Sequence, residues 1–195
     1  MIVVGVTGSF ASGKSEVVRF LKRKGASVFD ADRAAKKVVR EGTPVYRALV
    51  KLFGKQFVDK HGRLDRRKLA EYVFRRPSEL TKLNTLVHPA VIFEILKLIR
   101  QRERKKGILV LDVPLLFESK MQALADVTVL VTADQKLITK RAGTKGIGAD
   151  LARRILRAQW PVSRKKKLAD FVIENNGTLK NLEKKVNKIY QTILN

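Results

Sequence analysis

Apolar residues change their spacing along this chain, and each change marks an element. Ile2 to Thr7 is a β-branched apolar run ending in glycine, the pattern of a strand buried on both faces. Beyond the next turn, Val17, Val18, Phe20 and Leu21 recur at helical spacing, and Lys24-Gly25 closes that helix with a basic last turn and a C-cap glycine. Ser27 to Phe29 predicts a second short strand, followed by Asp30-Ala31-Asp32 and a helix through about Arg40. Glu41-Gly42-Thr43-Pro44 reads as a turn and a new helix start.

The pattern then turns wholly helical as far as about Lys106. Tyr46, Leu49, Val50 and Phe53 share one face, as do Leu69, Tyr72, Val73 and Phe74, and a long stretch follows from Pro77. Breaks are expected at Gly54, at His61-Gly62 and at His88-Pro89. Alternation resumes with strands at Ile108 to Leu111, closing in Asp112, at Val127 to Val131 and at Phe171 to Ile173, before a C-terminal helix. This order predicts an α/β fold, with a mostly parallel five-stranded sheet flanked by helices. The core occupies residues 1–40 and 107–195, and a helical insertion covers about 41–106. Ala142 to Gly148 is glycine-rich and suits a mobile lid, or its hinge, within about 141–158.

In sheets of this kind ligands bind outside the carboxyl ends of the strands. Three segments meet that rim: Gly8 to Ser15, Asp30-Ala31-Asp32, and Asp112-Val113-Pro114. The first, GSFASGKS, has the G-x-x-x-x-G-K-[ST] spacing of a phosphate-binding loop. Gly8 and Gly13 let the backbone curl until its N–H groups point at phosphate oxygens, and the following helix adds its positive end. Lys14 reaches the β- and γ-phosphates, and Ser15 offers its hydroxyl to Mg²⁺. Phosphoryl transfer to an alcohol also needs a carboxylate beside the acceptor hydroxyl, a role open to Asp30 or Asp32, the other then serving to cap the next helix. Asp112 ends an apolar strand, an arrangement that often helps to hold Mg²⁺. Arg141, Lys145, Arg153, Arg154 and Arg157 are candidates to neutralise the transferring phosphoryl group, and spacing does not choose among them. His61 and His88 have no partners at metal-ligand spacing; His88, before a proline, suits a turn or a helix start.

Charge adds less than its size suggests. With 42 Lys and Arg against 18 Asp and Glu the formal net charge is +24, a field that attracts polyanions. The basic residues form scattered short runs without interleaved aromatics, so specific nucleic-acid recognition is not expected, only salt-sensitive attraction. No apolar stretch is long enough to span a membrane, and no leader segment is expected. Zero cysteines exclude disulfides and thiolate metal sites and fit a cytoplasmic address.

Over almost its whole length the chain resembles the dephospho-coenzyme A kinases. The resemblance rests on Val6-Thr7-Gly8 through Lys14-Ser15, Val28-Phe29-Asp30-Ala31-Asp32 and Gly62-Arg63-Leu64-Asp65-Arg66. It continues through Val73-Phe74, Leu83-Asn84, His88-Pro89, Asp112-Val113-Pro114-Leu115-Leu116-Phe117-Glu118, Arg154-Ile155, Gln159, Lys165 and Ala169 to Gly177. It implies ATP- and Mg²⁺-dependent phosphorylation of the ribose 3′-hydroxyl of dephospho-coenzyme A; the chain is expected to be a monomer, with self-association left open, and to have no specific nucleic-acid partner and no membrane partner. It assigns the base role to Asp32 and ATP contacts to Gly8, Ala11, Ser12, Gly13, Lys14, Ser15, Glu16, Arg141 and Asn175, with Gln159 facing the nucleotide. Arg66, His88, Pro114, Leu115 and Glu118 fall at acceptor-binding positions. Ser9 and Lys145 depart from the family pattern, which has glycine and arginine there. The alternatives are another small-metabolite kinase on the same core, or a nucleic-acid-stimulated ATPase, which would bring motor or sensor motifs and a larger chain.

Overall fold

The computed structural model describes residues 1–144, 146, 148, 152, 155, 156 and 159–195. Its five strands are β1 (Ile2–Gly8), β2 (Ser27–Asp30), β3 (Ile108–Asp112), β4 (Val127–Thr132) and β5 (Phe171–Glu174). Among the described residues the helices are α1 (Lys14–Arg23), α2 (Ala31–Val38), α3 (Pro44–Phe53), α4 (Arg66–Phe74), α5 (Pro77–Arg102), α6 (Gln135–Thr144), α7 (Val162–Lys166) and α8 (Leu179–Leu194). The sheet order is β2-β3-β1-β4-β5 and every pairing is parallel. By contact density the chain divides into two compact units, Met1–Asp30 with Arg102–Asn195, and Ala31–Gln101.

The first unit is built around β1. Period-two alternation sends Val4 and Val6 to one face, where they join Val17, Phe20 and Leu21 of α1, Leu182 and Val186 of α8, and Val110, Val129 and Ile173 in one apolar cluster. Gly5 faces the other way. A Cβ there would stand 2.9 Å from Leu116 Cδ2, so glycine lets the segment after β3 press onto the sheet.

Two aspartates pin the amino ends of the strands. Asp126 Oδ2 accepts from Val3 N at 2.8 Å, and Asp126 N donates to Val3 O at 2.9 Å, fixing β4 on β1. Asp170 Oδ2 accepts from Thr128 N at 2.8 Å and from Thr128 Oγ1 at 2.6 Å, while Asp170 N donates back to Thr128 Oγ1 at 3.0 Å. That bracket sets β5 against β4, and the hydrogen bonds from Thr128, its hydroxyl first, hold the Asp170 carboxyl below its ordinary range.

The second unit folds around Val39, Leu49, Phe53, Phe57, Leu69 and Val73. Thr43 caps α3 by accepting from Tyr46 N at 3.1 Å, with Pro44 in the first turn and Gly54 ending the helix at φ 92°. Asp59 organises the next turn by accepting from His61 N at 2.8 Å and Arg63 N at 2.9 Å, which makes His61 a turn residue. The breaks at Gly54 and at His61-Gly62 therefore stand where the sequence puts them.

The break at His88-Pro89 does not. Both residues lie inside α5, which runs unbroken through 26 residues. A proline removes one hydrogen bond and crowds the preceding turn at a cost of about 3 kcal/mol. Here apolar packing offsets it on both sides, by Leu83, Leu86 and Val87 before the proline and by the buried Val91 and Ile95 after it. α2 also stops at Val38, two residues short of Arg40, while β1, β2, β4 and β5 each extend one residue further than the apolar pattern.

The bracket at Asp170 makes a prediction. Asp170→Asn should lower stability by about 1 kcal/mol at pH 7, because an amide is a poorer acceptor for two donors. Since the folded pKa of Asp170 is depressed, its contribution is complete above the unfolded value of about 3.9 and fades as pH falls through the folded value. Urea unfolding at pH 7 and pH 3 should show a gap between the two proteins that narrows in acid; equal stability at pH 7 would contradict the bracket.

Candidate phosphate-binding site

The end of β1 runs straight into the curl of the loop. A Cβ on Gly8 would stand 2.7 Å from both Ser12 Oγ and Val131 O, so only glycine fits beneath the curl. Ser9 N donates to Val131 O at 3.3 Å and Ser12 N to Ser9 O at 3.0 Å, tying the turn to β4 and to itself. Ala11 at φ 57° and Gly13 at φ 97° take the left-handed conformation, the alternation that gathers backbone N–H groups into an anion-binding concavity. No side chain caps α1. Among the described residues the N–H groups of Gly13, Lys14 and Ser15 have no acceptor, and they point the positive end of the helix at the loop.

Curling the N–H groups inward turns carbonyls outward, and these are clamped. Ser12 O accepts from Asn175 Nδ2 at 2.8 Å and from Arg141 Nη1 at 3.3 Å. Arg141 Nη2 reaches Asn175 O at 3.0 Å, and Asn175 N donates to Thr132 O at 2.8 Å. A side chain at Gly13 would overlap the Asn175 amide. On the opposite arm Phe10 N donates to Gln159 Oε1 at 3.1 Å.

Lys14 forms an ion pair with Asp112 Oδ1, and both side chains are largely buried. In the register of β2 and β3, Asp112 stands opposite Asp30. Thr7 Oγ1 donates to Pro114 O at 2.9 Å, which draws the segment after β3 towards the loop. Within that segment Leu115 is exposed while Leu116 and Phe117 are buried. Glu118 Oε1 lies 2.7 Å from Lys165 Nζ and accepts from Trp160 N at 3.0 Å.

The first unit thus gathers Gly8, Ala11, Ser12, Gly13, Lys14, Arg141, Asn175, Asp112 and Pro114 around one loop. Ser15 is exposed at the start of α1, and Glu16 pairs with Arg19 on the same helix. Asp32, Arg66 and His88 belong to the second unit. Asp32 is exposed in the first turn of α2, two residues past the end of β2. Arg66 opens α4 and donates through Nη2 to Lys36 O at 2.6 Å. His88 is mid-helix in α5, half-buried, and burial pushes its pKa below the ordinary histidine value. Lys145, Arg153, Arg154 and Arg157, and with them much of the expected lid, lie outside the described residues. Among the described residues no helix is long and apolar enough to cross a membrane.

Sequence reasoning missed the fastening around the loop. The resemblance sets Asn175 and Gln159 at the nucleotide and includes Lys165, but no spacing shows that Asn175 clamps Ser12 O or that the Lys165 side chain is fully buried against Glu118.

Comparison with known proteins fits this geometry. The family model described as dephospho-CoA kinase matches residues 2–181. A dephospho-CoA kinase from Geobacillus kaustophilus is 42% identical over 180 residues, covering 91% of this chain and 89% of that protein. One from Carboxydothermus hydrogenoformans is 38% identical over 192 residues, covering 97% and 93%. The crystal structure of TT1252 from Thermus thermophilus superposes with a TM-score of 0.84 at 33% identity, covering 98% of this chain and 97% of that one. With a phosphate loop at the carboxyl rim of an all-parallel sheet, and matches spanning nearly its full length, this chain belongs to the dephospho-CoA kinase family.

Proposed function

We propose that this protein transfers the γ-phosphoryl group of ATP to the ribose 3′-hydroxyl of dephospho-coenzyme A, giving coenzyme A and ADP. Family membership supports the reaction, and the observation that carries it is the phosphate loop: unpaired N–H groups at the start of α1 with Lys14 beside them. Such a site holds phosphates by charge and orientation before any chemistry occurs. ATP is held by Gly8, Ala11, Ser12, Gly13, Lys14, Ser15 and Glu16, with Arg141 and Asn175 framing the far side. By family resemblance Pro114, Leu115 and Glu118 of the first unit, and Arg66 and His88 of the second, each fall at acceptor-binding positions.

In the transfer, the acceptor oxygen forms a bond to the γ-phosphorus as the bond to the β-phosphate bridging oxygen breaks. The hydroxyl proton passes to the Asp32 carboxylate, and ADP departs with the electron pair. Lys14, fastened to Asp112 at the rim, neutralises charge on the phosphates. Mg²⁺ suits the donors available. Lys14 touches Asp112 and adjoins Ser15, so a hydroxyl and a carboxylate share one neighbourhood, and among the described residues no cluster of three or more acidic or histidine side chains would cage a metal. Mg²⁺ characteristically takes one or two protein oxygens with phosphate and water completing its shell. Ser15 and Asp112 would hold it, and it would supply neutralisation of phosphate charge. A monomer in the cytoplasm completes the reading, and a chain without cysteine suits that compartment.

The reading is tested by following coenzyme A formed from dephospho-coenzyme A, ATP and Mg²⁺. ATP turnover that answers only to added RNA or DNA would refute it. Lys14→Ala should stay folded and lose about two to three orders of magnitude in rate, as expected for one lost electrostatic contact to the transferring group. Asp32→Asn should lose on the order of 10²–10⁴-fold in kcat with little change in ATP affinity, because a positioned base acts on the step and not on nucleotide binding. If Asp30→Asn were the slower enzyme, with Asp32→Asn nearly unaffected, the two roles would be reversed.

A further inference from the structure

Lys165 is the one lysine among the described residues whose side chain is fully buried, and its partner Glu118 is only 12% exposed. Burying such a pair is costly, and a surface helix as short as α7 has no need of it. The ammonium lies 2.7 Å from Glu118 Oε1 as an ion pair and not as a directed hydrogen bond. Glu118 Oε2 is buried and finds no donor among the described residues, so the carboxylate is fixed through Oε1 alone. That same oxygen accepts from Trp160 N at 3.0 Å. The preceding residue, Gln159, turns its Oε1 to Phe10 N at 3.1 Å, inside the phosphate loop. Thr7 Oγ1 to Pro114 O, at 2.9 Å, closes the circuit from β1 back to the segment that carries Glu118.

We propose that Lys165 is a positioning residue for the phosphate loop, acting through Glu118, Trp160, Gln159 and Phe10. The loop has two arms. Ser12 is held by Asn175 and Arg141, and Phe10 is held by Gln159. The second hold is only as firm as the place of the Gln159-Trp160 backbone, which Glu118 fixes and Lys165 fixes in turn. Glu118 thereby serves the nucleotide side of the site as well as the acceptor side. The inference rests on the reading of the loop as an ATP site.

The test is calorimetric titration of ATP with Mg²⁺ into four proteins, with thermal unfolding of each: wild type, Lys165→Met, Lys165→Arg and the double variant Lys165→Met/Glu118→Gln. Lys165→Met leaves a buried carboxylate uncompensated and should melt earlier. It should also bind ATP at least about tenfold more weakly, the lower end of what outer supports contribute at metal sites. Lys165→Arg keeps the charge and should recover most of the affinity. The double variant removes both charges, so its melting temperature should return towards wild type while ATP binding stays weak, since the neutral amide replacing the carboxylate has no ammonium to fix it. A purely structural pair would restore stability and affinity together, and that result overturns the proposal. So does a double variant that does not fold, because the pair would then determine the fold and not the loop. Wild-type protein that fails to bind ATP would instead remove the reading of the loop itself.

Discussion

A backbone that points its N–H groups at a phosphate must send carbonyls the other way, and in this protein that constraint falls on Ser12. Its residue is fully buried, so its carbonyl cannot rely on water, and two donors meet it. Asn175 arrives from the end of β5 and Arg141 from α6, each also tied to the other. Neither could reach the loop unless β4 and β5 lay on the same side of β1, and the sheet order supplies that. Gly13 completes the arrangement, since its left-handed backbone and the Asn175 amide leave no room for a side chain.

The sheet divides its labour between its two ends. At the amino ends Asp126 and Asp170 satisfy strand N–H groups and lock neighbouring strands in register. At the carboxyl ends the acidic residue of β3, Asp112, is turned instead towards Lys14, and the chain leaves each strand in a turn or helix. The large positive balance of the chain enters this local chemistry through a few residues, Lys14, Arg141 and Lys165, that are wholly or partly buried against named partners.

Much of this was legible in the sequence because it rests on local pattern. The run from Ile2 to Thr7, the glycines of GSFASGKS and the caps at Gly25, Thr43 and Gly54 each carry their own signal, and the elements formed where the signals stand. Pro89 misled because a local rule met a longer helix whose buried residues on both sides hold it together. The fastening of the loop was illegible for a different reason. Asn175 and Ser12 are 163 residues apart, Gln159 and Phe10 149, and no spacing rule connects positions that only the sheet brings together. Lys165 shows the same limit, since the resemblance picks it out of the run Arg164 to Lys167 but no local pattern shows that it turns inward.

The central claim is that the Asn175 amide, by holding the outward carbonyl of Ser12, keeps the loop in the shape that binds phosphate. Asn175→Leu tests it most directly, because leucine fills a similar volume, keeps the backbone bond to Thr132 and removes the donor. Equilibrium titration of ATP into the folded variant, with its circular dichroism beside that of the wild type, should show native secondary structure and an affinity reduced at least about tenfold, as expected when a buried carbonyl loses the shorter of its two hydrogen bonds. Wild-type affinity in a folded Asn175→Leu protein would contradict the account, because the loop would then hold its shape without the clamp.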